Sequence, residues 1–187
     1  MAAVLHRLDK IAGGNVAVMA SRVAADSLQS RFLVSSLMME EAITSAQLEG
    51  ASTTRDVAKK MLEDEREPED ESQRMILNNY VLLKYAAQHK DEPLTLDLIL
   101  ALHRIATQGS SENGVIPGEF RQDDGIYISD GQGNILHQPP AHELIEQRLE
   151  RLCVFANQEH TGADGGDFIH PIIKAIVLHF MLGYEHP

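Results

Sequence analysis

Near the end of the 187-residue chain stand three histidines, His170, His179 and His186, with Glu185 beside the last. Imidazole and carboxylate side chains serve metal centres and proton transfer. Helical metal-binding pairs usually sit four residues apart, so that both rings face one way. Here the spacings are nine and seven. That spacing favours structural roles for His170, near a helix start, and His179, inside a helix. No metal ligand set is expected. His186 differs: it follows an apolar helical run and Gly183, and Pro187 after it forbids further helix. A histidine at the mouth of a loop behind a buried helix is well placed for acid–base work near neutral pH.

A second arrangement lies upstream. Ser45 and Glu49 are four residues apart, so on a helix they share a face, and Gly50 follows. A glutamate at a helix C-terminus opposes the dipole slightly. It is either a solvated side chain or one kept for a purpose. Cys153, the single cysteine, falls in an apolar helical pattern and reads as a small buried hydrophobe. It excludes a disulfide framework and a thiolate zinc site. The acidic run 63–71 contains Pro68 and has no calcium-loop spacing, so it reads as a solvated connection.

These residues need a scaffold. Hydrophobic residues make up 43% of the chain and charged residues 24%, as in an ordinary globular protein. Helices are predicted over 16–30, 33–48, about 53–62, 72–89, 95–106 and 141–157. A last helix is predicted from an N-cap at Asp167 to a stop at Gly183. Val34, Leu37, Met38, Ala42, Ser45 and Leu48 form the apolar stripe of the second helix. Gly50 suits the left-handed turn after it, and Thr53 or Thr54 can cap the next. Helical periodicity lapses between 108 and 138. There 125–129 and 134–137 read as two short strands joined by the turn chemistry of Asp130-Gly131-Gln132-Gly133. The final helix is apolar over a wide arc and is expected to be buried on most sides. A net charge of −12 argues against a general nucleic-acid binder. No apolar run is long enough to span a bilayer, and the N-terminus lacks a signal peptide's apolar stretch. A cytoplasmic location is the expectation.

From 170 to 180, and on to His186-Pro187, the sequence resembles the central helix of the Fic family running into its signature, H-P-F-x-D-G-N-G-R. Only the first two signature residues stand in this sequence. Gly118-Glu119-Phe120-Arg121 is similar to the family's G-x-F-R step. The hairpin with Pro139-Pro140 resembles its flap, and Ser45 to Gly50 matches the inhibitory pattern S/T-x-x-x-E-G/N. The resemblance implies a mainly α fold: a Fic-like helical bundle with a small β-hairpin flap, the C-terminal part of its core missing. It divides the chain into an N-terminal helical region, 1–92, with an inhibitory helix at about 33–50, and a core, 93–187, truncated where the signature begins.

The same resemblance implies transfer of AMP from ATP to a hydroxyl of a target protein. His186 would be the base, and Ser45, Glu49 and Gly50 the inhibitory motif. Glu49 would pair with a signature arginine and crowd the γ-phosphate site. Ile126, Tyr127 and Ile128 would form the flap edge on which an extended target peptide docks, or would pack on the helices; an edge can do both. ATP and Mg²⁺ are expected for the complete protein, and neither is expected to bind well to this fragment alone. The partner is a protein substrate, not nucleic acid or membrane. Bared apolar side chains around Ile173, Val177 and Phe180 would favour self-association or association with the missing part. The competing reading is a non-catalytic helical interaction module in which His186 is incidental.

Overall fold

The computed structural model describes residues 27–110, 114–162 and 166–187. Among the described residues the regular structure comprises six helices, a two-stranded sheet and the 3₁₀ turn His142–Leu144. The fold is mainly helical, as the sequence pattern predicts. Helix α1, Ser27–Leu48, is continuous through the break expected after residue 30. Ser30-Arg31-Phe32-Leu33 contains no glycine or proline to interrupt it. Most of the helix expected over 16–30 lies outside the described residues. The buried stripe of α1 is Met39, Ala42, Ile43 and Ala46, while Val34, Leu37 and Leu48 are exposed. The stripe is therefore rotated by one residue, about 100°, from the expected one. Adjacent apolar residues at 38 and 39 and at 42 and 43 support either face.

Gly50 takes φ +105°, the conformation open to glycine that releases the chain from α1. Helix α2, Arg55–Glu63, buries Ala58, Met61 and Leu62; Thr54 precedes it but its side chain makes no capping bond. Helix α3, Glu71–Gln88, is capped by Asp70, which accepts the Gln73 N–H at 2.8 Å. Helices α1, α2 and α3 enclose one core, with Ile43 and Ile76 fully buried at its centre.

Helix α4, Leu96–Thr107, begins at Thr95 as expected, whose hydroxyl accepts the Leu98 N–H at 3.1 Å. Asn78 on α3 donates to the carbonyls of Ala106 and Gln108 at 3.0 and 2.9 Å, which pins the end of α4 to the N-terminal helices. Strands β1, Ile128–Ser129, and β2, Ile135–His137, pair antiparallel. The Asp130 carboxylate accepts the N–H groups of Gln132 and Asn134 and closes the turn between them. A 3₁₀ turn, His142–Leu144, leads into α5, Ile145–Asn157. Leu144 is 46% exposed because it belongs to that turn, while Ile145, Leu149, Leu152 and Cys153 of α5 are buried.

Helix α6, Pro171–Glu185, differs from expectation at both ends. It starts four residues after Asp167, because Phe168 is drawn into a bridge with Thr161. The His170 ring nitrogen accepts the Ile172 N–H instead, and Pro171 supplies a first helical residue with no N–H to satisfy. Gly183 lies within the helix, which ends at Glu185. Leu178, Met181 and Leu182 pack on Ile99, Leu149 and their neighbours to form a second core. The helix is not buried on most sides. Ile172, Ile173, Ile176, Val177 and Phe180 face solvent, because α5 and Ile99 of α4 cover only one flank.

Candidate functional site

His186 owes its position to the way α6 stops. Its φ and ψ are 46° and 66°, a left-handed conformation rare outside glycine. Such a residue persists only where its surroundings over-determine it. Its N–H donates to the Leu182 carbonyl at 3.2 Å, and its own carbonyl accepts Arg121 Nε at 3.0 Å. One residue earlier, the carboxylate of Glu185 is buried and takes two parallel bonds from Arg148 of α5, at 2.7 and 2.8 Å. That fork holds the Arg148 guanidinium above its ordinary pKa, first through the hydrogen bond to Glu185. Glu185 is therefore a structural anchor.

His186 lines a cleft of about 560 Å³, together with His103, Thr107, Phe120, Ile126 and Leu182 among others. A cleft of this size suits a small-molecule ligand. His103 is its second titratable ring. Burial, and then the charge of His186, hold His103 below its ordinary pKa. Its Nδ1 accepts the Gly118 N–H at 3.1 Å, so neutral His103 carries its proton on Nε2. Gly118 itself takes φ +82°, and a Cβ there would lie 2.6 Å from Arg104 Nε. Only glycine suits that turn.

The segment leading into the hairpin reaches the same cleft at Ile126. Ile126 is half-buried and lines it, whereas Tyr127 and Ile128 are 54% and 47% exposed. His137 of β2 donates from Nε2 to the Tyr184 carbonyl at 2.9 Å and packs its ring on that tyrosine. Asp124, before the strands, accepts the His142 N–H at 2.7 Å; this bond first, then Arg121 and the His142 ring, hold its carboxyl below the usual range.

Ser45, Glu49 and Gly50 are not among the residues lining the cleft. Helix α1 packs on α2 and α3, and the Glu49 side chain is exposed, in no ion pair among the described residues. His170 caps α6, and His179 is exposed on it. No group of three His, Cys, Asp or Glu side chains among the described residues is placed to hold a metal. None of the described helices is long and apolar enough to cross a membrane. Cys153 is buried in the second core, and burial pushes its thiol up.

Two contributors to the cleft escape the sequence patterns. His103 sits one helical turn beyond the buried Ile99, and that spacing is the signal that marks it as inward-facing. Arg121 is legible as part of a motif, but two of its partners, the carbonyls of Pro140 and His186, are distant in sequence and leave no pattern to read.

A helical core that brings a histidine to a cleft bordered by the lead-in to a β-hairpin defines a class of protein. Residues 93–187, just over half of the chain, match the family model described as Fic/DOC family. The chain belongs to that family. A comparison with curated proteins finds no significant match.

Proposed function

We propose that the chain carries the proton acceptor and the target-docking flap of a protein adenylyltransferase. The observation that supports this most directly is His186 and Ile126 lining one cleft, the first at the end of α6 and the second at the start of the hairpin. An extended segment of a target protein would add to the hairpin edge at Tyr127 and Ile128, both exposed. Its Ser, Thr or Tyr hydroxyl would then point toward His186. The imidazole takes the hydroxyl proton as the oxygen attacks the α-phosphate of ATP. A new oxygen–phosphorus bond forms, the bond to the pyrophosphate oxygen breaks, and pyrophosphate leaves with its electron pair. His103, neutral with Nε2 protonated, is a hydrogen-bond donor in the same cleft.

The acidic residue, glycine turn and arginine that complete the family signature are not in this sequence. Among the described residues no group of three His, Cys, Asp or Glu side chains is placed to hold Mg²⁺; the acidic residue of the complete signature would hold it. On this reading the 187 residues alone transfer AMP poorly or not at all. Glu49, exposed on α1, is the inhibitory residue of the same reading, and its partner is an arginine of the complete signature. Transfer of labelled AMP by protein carrying that whole signature tests the reading. Glu49→Gly raises transfer and His186→Ala abolishes it; unchanged transfer in both variants removes the mechanism.

A further inference from the structure

The proposed mechanism gives the flap and the base separate tasks but leaves open what keeps them in register. We propose that Arg121 is the positioning residue that does so, locking the hairpin base and His186 into one unit. This inference rests on the adenylyltransferase reading only for its kinetic consequence, not for the contact itself.

The Arg121 side chain is 6% exposed, and its guanidinium reaches three separate pieces of chain. Nε donates to the His186 carbonyl at 3.0 Å. Nη1 donates to the Asp123 carbonyl at 2.8 Å and the Asp124 carboxylate at 2.9 Å, just before the strands. Nη2 donates to the Pro140 carbonyl, just after them. One planar group therefore ties both legs of the hairpin to the last turn of α6. Lysine cannot replace it, because an ammonium presents its donors from a single atom and cannot satisfy three directions at this spread.

The charge is also well placed. The His186 carbonyl lies at the C-terminal, partially negative end of α6, where a cation is favoured. The left-handed conformation of His186 needs external restraint, and its carbonyl is held by this one side chain. Loss of the fork releases the histidine backbone and the hairpin base together. An extended peptide on the flap would then no longer present its hydroxyl at a fixed distance from the imidazole.

The test uses the full 187-residue chain, ¹⁵N-labelled, with Arg121→Lys. The His186 ring and backbone signals and the amides of residues 126–137 shift together, and exchange of those amides with solvent speeds up at least about tenfold, as expected for a lost charge-assisted bond. Arg66→Lys, on the far acidic connection, moves neither set. Hairpin signals that change while His186 keeps its wild-type spectrum and pH titration overturn the proposal. If Arg121→Lys does not fold, Asp124→Asn decides: both sets moving together supports the lock, and the hairpin moving alone overturns it. In protein carrying the complete signature, Arg121→Lys lowers kcat by roughly a hundredfold with KM for ATP little changed. Absence of AMP transfer by the wild type would sink the proposed reaction while leaving the spectroscopic result to stand or fall by itself.

Discussion

Replacing either member of the Arg148–Glu185 pair breaks the same ion pair, yet the two losses are unequal. The Glu185 side chain is 1% exposed and the Arg148 side chain 32%. In Arg148→Met the carboxylate is left buried with no cation. Stranding a buried charge costs about 3–5 kcal/mol. In Glu185→Gln the stranded group is a guanidinium already one-third in water, and the amide oxygen still accepts one N–H. That loss is about 1–2 kcal/mol, the scale of a single hydrogen bond. For a chain of this length each kcal/mol moves Tm by roughly 2–4 °C. Arg148→Met should therefore lower Tm by roughly 10 °C, and Glu185→Gln by only a few degrees. The protein contains no tryptophan, so melting is followed by circular dichroism at the helical band. Arg148→Met combined with Glu185→Leu should recover much of the loss, since no charge remains to be stranded. A Glu185→Gln variant less stable than Arg148→Met would refute the assignment of the penalty to carboxylate burial.

Other outcomes follow from the same geometry. Gly118→Ala is expected to cost about 1–2 kcal/mol, from its left-handed φ and the crowding of Arg104, measured by urea unfolding. Burial of His103 makes the protein acid-sensitive. Its folded pKa is depressed, so the unfolded chain binds its proton first as pH falls. The His103 contribution is complete above the unfolded value of about 6.5 and is lost on acidification toward the folded value. Unfolding midpoints that decline on acidification below that point, and decline less in His103→Gln, check this. Exposure of Ile172, Ile176 and Phe180 predicts concentration-dependent sedimentation of the 187 residues that Phe180→Glu shifts toward monomer.

Sequence periodicity showed the helices well because each buried face is carried by several residues. Thr95, Gly50 and the hairpin turn at Asp130 act where local chemistry places them. Errors fell where two solutions were locally equivalent. On α1 a neighbouring stripe won because Met39 and Ile43 pack against Ile76 of α3, a choice made by a helix distant in sequence. The start of α6 moved from Asp167 to His170 because a long-range bridge took Phe168. For the site, His186 was legible from helix, glycine and proline in order. The buried ion pair behind it was not, since Arg148 and Glu185 each look like a solvated residue in an ordinary helix pattern. Glu49 was singled out from its spacing with Ser45, but that spacing carries no information about what the carboxylate faces.

The separation of the buried side chains into two groups also bears on how the molecule comes apart. Ile43 and Ile76 belong to one group, and Ile99, Ile145 and Leu149 to the other. Phe120 and Leu182, which line the cleft, pack on the second. Helices α1 and α2 pack on the first group, and neither Ser45, Glu49 nor Gly50 lines the cleft. The amide bridges from Asn78 to the end of α4 are the mechanical seam through which loosening of those helices would be felt. A fold divided in this way allows an N-terminal segment to change its packing without dismantling the cleft beside it.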